Sequence, residues 1–171
     1  GTLTLGDGTV IEIATAVKGD TPDEIVHVPA EGSPLPEVGA NVTAEIDWDT
    51  RHRLMRMHSC LHLLSAVLPY PVTGGQVSDG KGRLDFDLPE ATLDKEEITA
   101  ELNRIIGENL TLTSDWISEE ELDAQPELVK TMSVQPPRGA GKIRLIKVAD
   151  VDLQPCGGTH VRNTSEIGAV R

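Results

Sequence analysis

Aromatic side chains are nearly absent from this chain: its 171 residues include two Trp, one Tyr and one Phe, at Trp48, Trp116, Tyr70 and Phe86. Aliphatic packing must therefore carry the core, and a surface that stacks many nucleic-acid bases is excluded. Cations are also few, with 15 Lys and Arg against 28 Asp and Glu and a formal charge of -13. Proteins held to nucleic acid mainly through phosphates carry a basic face, so any such contact here is local. Two clusters are placed to supply one, Arg51, Arg53 and Arg56 or Lys142, Arg144 and Lys147, although each also reads as solvated charge. Cysteine is limited to Cys60 and Cys156, and neither a secretory leader nor a long apolar run is visible. The expectation is a cytoplasmic chain with no membrane span, in which thiolate or metal chemistry is favoured over a disulfide.

What remains is ordinary globular composition, 38% hydrophobic and 25% charged, enough for one sizeable core or two small domains. The chain has no initiating Met, opens in GTLTL and stops at EIGAVR, which reads as a strand; it is expected to be a fragment, incomplete at both ends. Residues 1–47 are β-rich, with TLTL, a GDG turn, TVIEIATAV, EIVHV and NVTAEID as short alternating runs. A small barrel or meander is predicted there, interrupted by a loop at Pro29, Pro34, Pro36, Gly32 and Gly39. From residue 48 the period becomes helical, with Leu54, Leu61, Leu64 and Leu68 on one stripe, Asp47 or Asp49 as cap and Pro69 as stop. Next come a Gly-rich turn (TGGQVSDGKG), a strand RLDFDL, a helix from Asp94 to about Asn109, and a strand LTLTSDWI. Ser118 and Glu121 have capping-box spacing and start a short helix. PPRGAG is read as a loop and KIRLIKV as a strand. The fold class is thus α+β: a barrel-like N-terminal β domain (1–47), then an α/β domain (48–171) with the long helix packed on a mainly antiparallel sheet.

Two short motifs carry chemistry. His58 and His62, in MHSCLHLL, lie one helical turn apart, so both imidazoles project from one face. Cys156 and His160, in QPCGGTH, flank two glycines that would let the backbone turn tightly enough for both to face one point. Alone, each pair reads as well as partly buried histidines or as a plain turn. Together they form one thiolate and three imidazoles, a set that tetrahedral zinc accepts and that suits magnesium or calcium poorly. Cys60 points off the ligand face and reads as a core thiol, and His27 and His52 have no identifiable partner.

His58, His62, Leu63 and Leu64, then Gln76, then Arg83, Asp85 and Phe86, and finally the run from Cys156 to Val161 resemble AlaX-type alanyl-tRNA editing proteins and the editing domain of alanyl-tRNA synthetase. The likeness extends from Ile46 onward, and the β-rich lead is similar to the N-terminal barrel of longer AlaX proteins. The related threonyl editing domain usually has Pro before the last His, where this chain has Thr159. The resemblance implies a trans-editing hydrolase. It would hold one Zn2+ per chain and cleave the ester joining serine, or glycine, to the acceptor end of mischarged tRNA(Ala). Gln76, Gly157 and Thr159 would contact substrate, and Arg83 and Asp85 would make structural contacts. Four protein ligands would fill a tetrahedral ion. Either Cys156 or His160 then binds weakly, or the ion only shapes the pocket. A zinc-stabilised tRNA-binding module without turnover and a hydrolase of small esters are the competing functions; the missing H-E-x-x-H glutamate disfavours a zincin.

Overall fold

A computed structural model describes residues 1–21, 24–89, 93–132, 136, 138–139 and 141–171. The fold is α+β with antiparallel sheets and few helices, and the chain divides into two compact units, Gly1–Arg51 and His52–Arg171. Among the described residues no helix is long and apolar enough to cross a membrane.

The first unit holds strands β1 (Thr2–Leu5), β2 (Val10–Lys18), β3 (Ile25–Pro29) and β4 (Val42–Glu45). They form one antiparallel sheet in the order β3-β2-β1-β4, with a register shift in β2 between Ile13 and Thr15. The predicted barrel is corrected here to an open sheet, because among the described residues β3 and β4 each pair on one side only. Four strands give too little width to curl around an interior filled with side chains.

The second unit carries most of α1 (Trp48–Val67). Asp47 caps it by accepting the Thr50 amide at 3.1 Å, and it stops ahead of Pro69, whose ring disfavours helical backbone in the residue before it. The stretch predicted as a Gly-rich turn is instead a hairpin of β5 (Val72–Ser78) and β6 (Lys81–Phe86). The turn itself is only Asp79 and Gly80, the latter at φ +70°. Gly74 and Gly75 concealed the strand because they carry no β-branched or aromatic signal. Helix α2 (Lys95–Gly107) starts at Asp94, which accepts the Glu96 and Glu97 amides at 2.8 and 3.1 Å. The Ser118 capping box opens α3 (Glu119–Asp123) as predicted.

Strands β7 (Leu112–Ser118), β8 (Lys142–Val148) and β9 (Asp152–Pro155) pair in that order, all antiparallel. The predicted PPRGAG loop lies partly outside the described residues. The predicted C-terminal strand is a 3₁₀ turn over Thr164–Ile167 followed by irregular chain. The Glu166 carboxylate takes the Arg162 and Asn163 amides at 2.9 Å each, donors that a strand would have offered to a neighbour.

Leu63 of α1, Leu102, Ile105 and Ile106 of α2, Val148 of β8, Val161 and Ile167 form one apolar cluster. Leu122, Leu128, Ile143 and Leu145 form a second. Strand β8 contributes to both, with Val148 facing one way and Ile143 and Leu145 the other, which is why KIRLIKV is apolar at both parities. Leu63→Ala should destabilise the protein by about 2–5 kcal/mol in urea unfolding, the range for truncating a buried leucine; a loss below about 1 kcal/mol would show that this cluster does not hold α1 in place.

Candidate metal centre

Helix α1 supplies His58 and His62 at i and i+4, and the turn leaving β9 supplies Cys156 and His160. Their ligand atoms all lie within 4.8 Å of one another. Cys156 Sγ is 3.5 Å from His58 Nε2 and 3.4 Å from His160 Nε2. Zinc bonds to nitrogen and sulfur at tetrahedral angles give an N···S edge of about 3.5 Å. The donor set and its spacing therefore fit a tetrahedral ion.

Each imidazole is held from behind at Nδ1. His62 Nδ1 meets Asp152 Oδ2 at 3.2 Å, His58 Nδ1 donates to the Thr159 carbonyl at 3.2 Å, and His160 Nδ1 faces Ser59 Oγ at 3.1 Å. With a cation bound, a proton kept at Nδ1 would leave Nε2 its lone pair, and three such tautomers would aim three lone pairs at one point; without one, a protonated Nε2 can donate to the Cys156 sulfur. Asp152 is itself braced: Oδ1 accepts from Lys130 Nζ at 2.6 Å and Oδ2 from Gln154 Nε2 at 2.8 Å. Burial works to raise the Asp152 pKa, but bonds from His62, Gln154 and Lys130 hold it below the ordinary carboxylate value.

The thiol follows the same balance. Burial opposes its ionisation, yet hydrogen bonds from His160, His58 and His62 pull the Cys156 pKa down to about 3. The Gly158 amide also points at Sγ, at 3.4 Å. Burial lowers His160 to about 4, so that ring is neutral near pH 7. A thiolate beside a neutral imidazole is the protonation state a soft divalent cation requires.

The turn is fixed by Arg144, whose Nη1 donates to the Gly158 carbonyl at 2.6 Å and the Cys156 carbonyl at 3.4 Å. The expected reason for its glycines needs correction, since neither Gly157 nor Gly158 has positive φ. A Cβ on Gly158 would sit 2.3 Å from His58 Cε1, whereas one on Gly157 would meet nothing within 4 Å. Gly158 is there because the His58 ring passes directly over it.

Beside the centre lies a cleft of about 430 Å³, lined by His58, His62 and Cys156 and, opposite them, by residues of β5 and the 129–131 segment. Gln76 lies on its wall, from strand β5 rather than from a turn, and Gly157 lies at its edge. Thr159 is not among the lining residues; its carbonyl orients His58 instead. Arg83 and Asp85 pair with each other at 3.1 Å on β6. Cys60 packs against the larger cluster, where burial pushes its thiol pKa up. His27 lies on β3, while His52, read as partnerless, contacts Glu166 at 3.0 Å. Asp152, Lys130 and Ser59 were not legible as site residues. One signal was available: Asp152, Gln154 and Cys156 occur at i, i+2 and i+4, the spacing of one strand face.

Residues 143–171 match the family model described as the threonyl and alanyl tRNA synthetase second additional domain. The chain is 33% identical over 176 residues to the alanyl-tRNA editing protein AlaX-M of Methanosarcina acetivorans, covering 96% of this chain and 70% of that protein. It is 34% identical over 161 residues to AlaX-M of Saccharolobus solfataricus, covering 91% and 66%. The alanine–tRNA ligase of Saccharolobus islandicus is 35% identical over 158 residues, covering 87% of this chain and 17% of the ligase. The chain belongs to the AlaX-M family of alanyl-tRNA editing proteins.

If the quartet holds a soft divalent cation, Gly158→Ala should weaken its affinity for added Zn2+ by roughly tenfold or more in chelator competition, the usual scale for a misplaced ligand, while Gly157→Ala stays close to the unmodified protein. Equal affinities for the two variants would refute the assigned contact with His58.

Proposed function

We propose that this chain edits alanyl-tRNA charging by hydrolysing the ester of mischarged tRNA(Ala), chiefly seryl and also glycyl, in the cytoplasm. The observation that carries this reading is the His58, His62, Cys156 and His160 cluster opening onto a cleft of about 430 Å³, in a chain of the AlaX-M family. The editing unit would begin near residue 48, and the partner would be the acceptor end of the tRNA. Zinc is the ion that suits one thiolate and three imidazoles.

When bound, such an ion supplies Lewis acidity toward an ester carbonyl or water, provided a coordination position opens. The chain's own groups do the rest. Leu61, Val72, Leu84 and Val129 give the cleft apolar walls that displace water from around the aminoacyl group. The Gln76 amide, on the same wall, hydrogen-bonds the substrate or the attacking water. Gly157 leaves room at the edge of the cleft for the terminal ribose, and Thr159 acts through His58. Selection for serine needs one polar partner for its hydroxyl, which alanine would leave unpaired. Gln76, Thr131 and Gln154 stand among the lining residues with the groups to provide it.

The four-donor set fits a purely structural ion as well, which would make the chain a tRNA-binding module without turnover. One set of measurements separates the readings. The purified protein is expected to contain about one zinc per chain and to release serine from seryl-tRNA(Ala). Cys156→Ala is expected to slow release by about 100-fold or more, a barrier change of several kcal/mol. Deacylation that survives both zinc removal and this substitution would refute the metal role. Zinc that is needed for folding, with no deacylation at any metal content, would establish the binding module.

A further inference from the structure

The two basic clusters have different fates in the fold. Arg53 pairs with Asp79 at 2.6 Å and Arg56 donates twice to the Ile167 carbonyl, so two of the three cations of the first cluster are spent on internal contacts. In the second, Lys142 and Arg144 occupy alternate positions of β8 and share one face of the sheet, while Lys147 has the opposite parity. Trp116 of β7 lies directly across from Arg144, so its indole projects from the face that carries both cations. It is 58% exposed in a chain with only four aromatic residues. The neighbouring carboxylate, Asp115, has opposite parity and points to the other face.

The same row runs on to the metal centre. Arg144 pairs with Trp116 on one side, and on the other its carbonyl accepts the Cys156 amide at 2.9 Å, continuing the β8–β9 register. Two cross-strand steps of about 4.8 Å place Trp116 about 10 Å from Cys156. That is one to two nucleotides of single-stranded RNA. Arg144 is spent on the Cys156–Gly158 turn, which leaves Lys142; an exposed indole beside a cation on the same sheet face is the chemistry that binds unpaired nucleotides without reading sequence, the base stacking and the phosphate meeting the ammonium. From this row we infer that Trp116, with Lys142 beside it, is a stacking platform for an unpaired base at the 3′ end of the tRNA whose ester reaches the metal centre. The inference rests on the proposed editing reading for the identity of the RNA, and it adds the residue that would hold the strand.

The test is binding of uncharged alanine-specific tRNA to the zinc-loaded protein, compared with the same tRNA trimmed of its single-stranded 3′ end. Trp116→Ala is expected to weaken binding of the intact RNA by at least about fivefold, the lower bound for one lost base stack. It should leave binding of the trimmed RNA and zinc content unchanged, and Trp116→Phe should restore most of the affinity. In a Trp48→Phe background, intact tRNA should quench the remaining indole emission, a readout that does not require the Ala variant to fold. Equal affinity of Trp116→Ala and the unmodified protein, an equal loss with both RNAs, or unquenched emission at saturating tRNA would each overturn the platform. Because none of these readouts involves ester cleavage, absent deacylation with an intact Trp116 effect would count against the editing reading alone.

Discussion

Three imidazoles can meet one thiolate only if something stops each ring from turning away, and the hydrogen bonds at Nδ1 do this. Asp152, the Thr159 carbonyl and Ser59 come from three different places in the chain, yet each fixes one ring and leaves its Nε2 directed inward. The rest of the second unit can be read as support for those partners. Strand β9 presents Asp152, Arg144 on β8 grips the turn that carries the Thr159 carbonyl, and α1 presents Ser59, one residue after His58, to the ring of His160.

Charge is arranged on the same plan. A buried carboxylate with no cation beside it would be costly, and Lys130 at 2.6 Å from Asp152 removes that cost. The thiolate of Cys156 in turn depends on imidazole and backbone donors. The pocket therefore has its anionic groups partnered before any cation enters. Such preorganisation limits the rearrangement that binding requires.

Much of the fold was legible because local chemistry and tertiary structure agree. TLTL and KIRLIKV coincide with β1 and β8; the helix expected from Asp94 begins just after it, and Ser118 caps the helix its spacing with Glu121 predicts. That His58, His62, Cys156 and His160 offer a candidate metal set was legible for a similar reason, since i,i+4 histidines on a helix and a Cys-x-x-x-His turn are both short-range patterns; their convergence is the tertiary part. What escaped depended on long-range pairing. Gly74 and Gly75 belong to a strand because β6 lies beside them, and the C-terminal segment is a turn because Glu166 captures its amides. The Asp152 contact with His62 joins residues 90 positions apart, and no local pattern announces it. The role of Gly158 escaped as well, because it concerns the space under a ring from another element.

Strand β8 packs side chains into both apolar clusters and has a hydrogen-bonded neighbour on each side. Opening its amides to solvent therefore disturbs both clusters at once. The Cys156 turn hangs directly from that strand. Breathing of the hairpin or of the chain termini can then come and go while the thiolate keeps its position, so the half of the quartet built on a loop inherits the persistence of a strand embedded in both clusters.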